Sequence, residues 1–172
     1  MIPKLLRTER LTLEPVTVVH SDRLFDLFQD PELYTYIPRS VPTDREKFRG
    51  ELAFLEARLS YDGTQNWLRW APIVKETGQI VGQIETTLTI ESKECSLAYT
   101  IFREYWREGY AKEASSAVIN HMFEDWGARN MIIEMDVRNA ASVRLAESLA
   151  ATRIAYTPNA QLLKGEWSNE YR

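Results

Sequence analysis

The residues best suited to chemistry lie between positions 101 and 114. An alternating apolar stretch ends there, and a short loop leads into a helix that opens with the small residues Gly109 and Ala111. The first amides of a helix have no acceptor within it and lie at its electropositive end. Arg107 and Lys112 add positive charge beside them. This pattern predicts a diphosphate site, with a purely structural glycine turn as the alternative.

The elements that must position this loop follow from apolar periodicity. Residues 11–16 alternate like a strand, and residues 21–29 have helical spacing until Asp30 and Pro31 stop it. The pattern from Thr43 to Glu46 is typical of a capping box and predicts that Thr43 starts a second helix. The remaining elements follow in chain order: strands at 67–75, 80–90 and 95–101, a helix at 110–126, a strand at 131–137, a helix at 141–149, and strands at 152–156 and 161–171.

The resulting order is β-α-α-β-β-β-α-β-α-β-β. It predicts an α/β (α+β) domain with a mixed, mostly antiparallel twisted sheet and helices on both faces. The 172 residues contain no repeat and no linker-like stretch, so we expect one domain over 1–172.

Composition excludes several classes of function. The net charge of −4 disfavours nucleic acid as a partner. No apolar run approaches the roughly 20 residues that span a bilayer, and no charged-then-apolar leader opens the chain. The single Cys95 cannot form an internal disulfide, which favours a cytoplasmic location. With two separated histidines and one cysteine, no metal site is expected.

Several motifs occur in order along the chain: Thr8-Glu9-Arg10-Leu11, Leu97-Ala98-Tyr99, Tyr105 to Ala114, and Asn139-Ala140-Ala141-Ser142-Val143. Together they resemble the GNAT superfamily of acetyltransferases, and within it the branch that acetylates the N-termini of ribosomal proteins. The stretch from Lys164 to Tyr171 looks like the closing strand motif of that branch. The resemblance spans nearly the whole chain and is specific for the superfamily rather than for a substrate.

This resemblance implies acetyl-CoA as co-substrate and no metal. It assigns the coenzyme pyrophosphate to the backbone amides of one loop, formed by Trp106, Arg107, Glu108, Gly109, Tyr110, Ala111 and Lys112. Thr100 and Ile101 would pair with the pantetheine arm where their strand splays from the next one. Arg107 stands where relatives usually carry glycine, so one backbone contact is expected to differ.

Two further residues gain roles from the resemblance. Asn139 matches an asparagine that reaches the pantetheine or thioester, and Ser142 matches a hydroxyl that protonates the departing thiolate. Both also have a structural explanation, because Asn139 can cap a helix whose first turn contains Ser142.

The acceptor side is less defined. Glu85 and Glu94 lie near the coenzyme strand and are candidates for the general base, although a solvated carboxylate on a strand face is the alternative for each. Relatives often show a glutamate where Ser96 stands. Tyr34, Tyr36 and Trp67 are candidates for lining the acceptor site.

The expected function is therefore N-acetyl transfer from acetyl-CoA to a primary amine, by direct attack in a ternary complex. The acceptor would be a protein N-terminus or a small-molecule amine. The alternative is a non-catalytic acyl-CoA-binding or regulatory domain. Because relatives are often dimers, a homodimer is compatible with the resemblance.

Overall fold

A six-stranded sheet forms the centre of the computed structural model, which describes residues 3–172. Met1 and Ile2 lie outside the described residues. The predicted domain over 1–172 and the prediction that no leader opens the chain both include these two residues. The strand order is β1-β2-β3-β4-β5-β6, and all neighbours are antiparallel except β5 and β6, which are parallel. The strands are β1 (Leu6–Arg7), β2 (Leu11–Pro15), β3 (Gln65–Val74), β4 (Gly82–Thr89), β5 (Glu94–Ile101) and β6 (Asn130–Ile132).

A second, three-stranded antiparallel sheet has the order β7-β9-β8. Its strands are β7 (Met135–Asp136), β8 (Tyr156–Leu163) and β9 (Glu166–Tyr171). The helices are α1 (Ser21–Leu27), α2 (Arg45–Leu55), α3 (Tyr110–Glu124) and α4 (Ala140–Ser148). Short 3₁₀ turns occur at Val18–His20, Pro31–Tyr34 and Arg103–Tyr105.

The helices cover opposite faces of the first sheet because its strands alternate between two apolar clusters. In β3, Leu68 and Trp70 pack into the cluster that contains Val118 and Met122 of α3. Ala71, on the other face, packs with Leu24 and Leu52 from α1 and α2. The predicted arrangement of a mostly antiparallel sheet with helices on both faces is confirmed.

Four local predictions were wrong. The predicted strand at 131–137 is two strands, because β7 leaves β6 after Ile132 and pairs with β9 instead. The predicted strand at 152–156 is irregular until Tyr156, where β8 begins. The predicted strand at 161–171 is instead the end of β8 and all of β9, which pair antiparallel across a turn at Lys164 and Gly165. The N-cap of α2 is Asp44 rather than Thr43: the Asp44 carboxylate accepts the Lys47 amide at 3.0 Å.

Candidate active site

The first sheet opens between β5 and its neighbour. The two strands pair only where Glu94–Ser96 meet Asn130–Ile132. From Leu97 to Ile101 no strand of residues 3–172 pairs with this edge of β5. An unpaired strand edge presents N–H and C=O groups to any extended ligand that adds beside it.

Strand geometry gives the direction of these groups. The Phe102 amide donates to the Val81 carbonyl at 2.9 Å, toward β4. Successive residues of a strand alternate between its two edges, so the Ile101 N–H points to the open edge. Within residues 3–172 it has no hydrogen-bond acceptor. The open edge therefore ends in an available donor directly before the loop that leads into α3.

Helix α3 starts at this end of the opening. The backbone amides of residues 107–112 have no acceptor in the described part of the chain, whereas the Glu113 amide bonds the Gly109 carbonyl at 3.2 Å. Six successive donors thus remain available at the positive end of a 15-residue helix. Free amides at the start of a helix are the arrangement that an anion site requires, and binding of an anion here stays a prediction.

Backbone torsions produce this arrangement. Gly109 has φ +80° and caps α3, and Arg107 has φ +69°. Left-handed backbone costs a side chain about 1–2 kcal/mol, so Arg107 occupies a position that favours glycine. Arginine thus adopts a conformation that favours glycine, and the altered coenzyme contact expected at this position stays a prediction.

A clamp from β2 holds the loop. The Arg10 guanidinium bonds the Glu113 carboxylate at 2.7 Å and the Glu108 carbonyl at 2.9 Å, and it lies 4.5 Å from the centre of the Tyr110 ring. Thr8 donates to the same carboxylate at 2.5 Å. Burial acts to raise the pKa of Glu113, but the hydrogen bonds from Thr8 and Arg10 outweigh it and lower this pKa. The negative charge of the Glu113 carboxylate is therefore balanced by the Arg10 guanidinium.

The Trp106 side chain lies over the same opening. Its indole N–H donates to the Ile101 carbonyl at 2.6 Å. That carbonyl shares the edge direction of the Ile101 amide. Trp106 therefore satisfies one group of the open edge and leaves the amide beside it available.

A hydrogen bond links helix α4 to the unpaired part of β5. Asn139 is its N-cap, and its side-chain oxygen accepts the Ser142 amide at 3.1 Å. The Tyr99 hydroxyl donates to the Ser142 carbonyl at 3.3 Å and so links β5 to α4. Desolvation, opposed by this contact with Ser142, raises the pKa of Tyr99. The Ser142 backbone thus lies beside the Tyr99 side chain, and the capping role of Asn139 is observed directly.

A cavity of about 780 Å³ lies on the α2 side of the sheet. It is lined by Arg39, Lys47, Gly50, Glu51, Phe54, Leu55, Tyr61, Gln65, Trp67, Leu68, Arg69, Glu85, Thr86 and Thr87. Glu85 pairs with Arg69 at 3.0 Å and accepts from Gln83 at 2.6 Å. It lies opposite Ala98 of β5, roughly 5 Å away across one strand spacing. A carboxylate fixed by two partners therefore faces the cavity one strand away from β5.

Of the other residues predicted for the acceptor side, only one lines this cavity. Trp67 lines this cavity. Glu94 does not: it lies at the start of β5, roughly 23 Å along the strand from Ile101, and pairs with Arg172 at 3.2 Å. Tyr34 is buried and donates to the Phe28 carbonyl at 2.9 Å, and neither it nor the half-buried Tyr36 is among the residues that line the cavity.

Burial raises the pKa of the Cys95 thiol to about 12, which disfavours a thiolate nucleophile.

Sequence reasoning missed the clamp and most of the cavity. Arg10 and Glu113 are 103 residues apart, and no spacing rule connects side chains over that distance. Phe54, Tyr61 and Arg69 come from α2, a turn and β3, whose mutual arrangement depends on tertiary packing. The Thr8-to-Leu11 motif was the available signal for the clamp.

The family comparison agrees with this geometry. The acetyltransferase (GNAT) domain family matches residues 10–152. The chain belongs to the GNAT acetyltransferase family and is an acyltransferase. No helix among residues 3–172 has the length and apolarity needed to cross a membrane. No group of metal-binding side chains is assembled within the same residues.

Relatives by sequence are distant but cover most of the chain. The uncharacterised N-acetyltransferase p20 of Bacillus licheniformis is 27% identical over 167 residues, which are 96% of this chain and 92% of p20. The FsC-acetyl coenzyme A-N(2)-transacetylase of Aspergillus fumigatus is 23% identical over 158 residues, which are 87% of this chain and 65% of that enzyme.

Solved structures share the fold. RimL, a ribosomal L7/L12 alpha-N-protein acetyltransferase in complex with coenzyme A, matches with a TM-score of 0.86 at 18% identity, covering 98% of this chain and 96% of RimL. A GNAT-family acetyltransferase of Bacillus anthracis matches with a TM-score of 0.82 at 20% identity, covering 98% and 95%. The predicted superfamily is confirmed.

Proposed function

We propose that this chain transfers the acetyl group of acetyl-CoA to a primary amine, by direct attack in a ternary complex. The observation that carries the proposal is the junction of two unsatisfied surfaces. The open edge of β5 ends at the Ile101 amide, and the free amides of residues 107–112 begin a few residues later. An elongated ligand with an amide-bearing arm and a diphosphate fits this sequence of donors.

The residues present fit the coenzyme. A diphosphate would accept hydrogen bonds from the amides of residues 107–112, with Arg107 and Lys112 adding charge. An arm with amide groups would lie along β5 beside Thr100 and Ile101. A Cβ at Gly109 would lie 3.4 Å from the Arg10 guanidinium, so glycine avoids crowding the residue that clamps this loop.

Bound acetyl-CoA supplies the activated thioester carbonyl. In the proposal, a free backbone N–H of the open edge near Ile101 donates a hydrogen bond to the carbonyl oxygen as negative charge develops there. The Ser142 hydroxyl provides a proton to the leaving sulfur. Asn139 positions Ser142 by capping the first turn of α4.

The acceptor enters from the cavity under α2. Glu85, held by Arg69 and Gln83, takes the proton of the attacking amine through water. Its position one strand away from β5 separates the base from the coenzyme edge, which leaves room for that water. Glu85 is therefore the proposed base, and Glu94 has no role in this scheme because it lies at the far end of β5.

Release of the coenzyme thiol with a panel of amines tests the proposal. Glu85→Gln is expected to lower kcat/KM about 100-fold while coenzyme affinity stays unchanged, since the residue acts on the acceptor. Glu94→Gln is the matched control and should stay within about twofold of the parent. Because Arg69 loses its ion-pair partner in Glu85→Gln, the melting temperature of this variant is measured together with its activity.

Coenzyme binding without thiol release on any amine would contradict the proposal and favour a non-catalytic coenzyme-binding module. An equal loss of activity in both glutamate variants would contradict the role of Glu85.

A further inference from the structure

The charges around the cavity under α2 are unbalanced. Glu85 is paired with Arg69. Arg39 and Lys47 also line the cavity, and neither forms an ion pair with any residue in 3–172. Glu51 is the remaining carboxylate of the lining and is likewise without an ion pair in that range. Two exposed cations thus face one exposed carboxylate at the mouth of the cavity.

Arg39 is close enough to other charges to influence them. Desolvation is the main cause that lowers the pKa of Arg69, Glu85 opposes it, and repulsion from Arg39 adds to it. Bringing an anion beside Arg39 would relieve this repulsion between two guanidinium groups. A polycationic ligand would increase it.

The rim of the same cavity is aromatic. Phe54 and Tyr61 stack with ring centres 4.2 Å apart and planes at 19°. Trp67 meets both rings edge-on, at 6.2 and 6.4 Å. Tyr61 is 86% exposed, which leaves one face of its ring open to a flat apolar group.

We infer that the acceptor is an amine that also carries a carboxylate and an aromatic group, such as an aromatic amino acid or a short peptide that begins with one. Arg39, assisted by Lys47, binds the carboxylate, and the rings of Tyr61 and Trp67 contact the aromatic group. The amine then points toward Glu85. This inference rests on the proposed function, because it takes the cavity as the acceptor site.

The test compares acceptors that differ in one group. Phenylalanine and phenylalanyl-glycine are each compared with the matching C-terminal amide, and spermidine serves as the polycation. The free carboxylates are expected to have kcat/KM values about tenfold above the amides, because a hydrogen-bonded charge pair is lost in the amide. Spermidine is expected to be the poorest acceptor.

Variants locate the effect. Arg39→Gln should reduce the carboxylate preference to about twofold while the amide acceptors react as before. Arg129→Gln changes another exposed arginine, outside the cavity, and should keep the full preference. Tyr61→Ala should raise KM for the aromatic acceptors more than kcat changes.

Two kinds of failure are distinguishable. Equal or better turnover of amides or spermidine overturns the acceptor inference and leaves acetyl transfer in place. An Arg39→Gln variant that slows every acceptor equally also overturns it. Failure of all amines to release thiol overturns the proposed function and this inference together.

Discussion

At the scale of single residues, one backbone torsion controls the coenzyme loop. Gly109, at φ +80°, caps α3 in the left-handed conformation that favours glycine, and its missing side chain avoids crowding the Arg10 guanidinium. Arg107 has a similar torsion without being glycine. The loop thus contains one residue with backbone strain, Arg107, and one without it, Gly109, which directly precedes the first residue of α3.

Gly109→Glu is expected to abolish coenzyme binding, at least about 100-fold by calorimetry, because a carboxylate would meet the diphosphate. Gly127→Glu is the control: Gly127 has φ +69° at the other end of α3 and therefore carries comparable backbone strain. It should bind coenzyme as the parent does. Equal loss in both variants would show that strain alone explains the effect.

Individual residues differ in how far they could be predicted. Gly109 and the Asn139 cap follow from local rules about helix ends, which depend on neighbours within a few residues. The partnership of Glu85 with Arg69 depends on the register of two strands, and the buried state of Tyr34 depends on packing. Such features have no local signature.

At the scale of elements, the Arg10–Glu113 clamp couples β2 to α3. Glu113→Ala should weaken coenzyme binding about tenfold, because the helix start is no longer held while every amide remains. Arg10→Ala should have a similar effect, and the double variant should be little worse than either one. Additive losses would contradict the clamp. Lys4→Ala removes the ion pair at the other end of α3 and should leave affinity unchanged.

A second prediction concerns the second sheet. The buried Asp136 carboxylate bonds Arg138 at 2.7 and 3.0 Å and accepts from Ser168 at 2.8 Å. The Arg138 hydrogen bond is the main cause that lowers the pKa of Asp136 to about 2. A lowered carboxyl pKa stabilises the fold above the unfolded value near 4, and this contribution is lost as pH falls toward about 2.

We therefore expect Asp136→Asn to unfold more easily in urea than the parent at about pH 6, by roughly 2 kcal/mol, with the gap closing as pH falls from about 4 toward 2. The control Asp26→Asn removes an exposed carboxylate that pairs with Arg45 and should show no comparable gap. A gap that persists at low pH would assign the effect to packing rather than to charge.

Elements were more predictable than their pairing. Apolar alternation identified β3, β4 and β5, and helical spacing identified α1, α2 and α3, since these patterns are local. Alternation continues from Met131 to Val137 although the chain changes sheets there. Periodicity reports which face of a strand is apolar and does not report its neighbour, so the division into two sheets was missed.

For the whole molecule, the division between sheets is the functional feature. Strands β5 and β6 pair for three residues and then separate, which opens the sheet beside the start of α3. The proposed coenzyme site lies along that opening, and the cavity proposed for the acceptor lies on the α2 side of β3 and β4. The two substrates would therefore approach the Ile101 region from different sides.

The central claim is that the open edge of β5 and the amides before α3 bind one continuous ligand. Amide NMR spectra recorded with and without saturating coenzyme A test it most directly. We expect the resonances of residues 107–112 and Ile101 to shift together and their hydrogen exchange to slow, while β8 and β9 stay unchanged. Unchanged resonances at Ile101 and the loop, with shifts confined to another surface, would contradict the account.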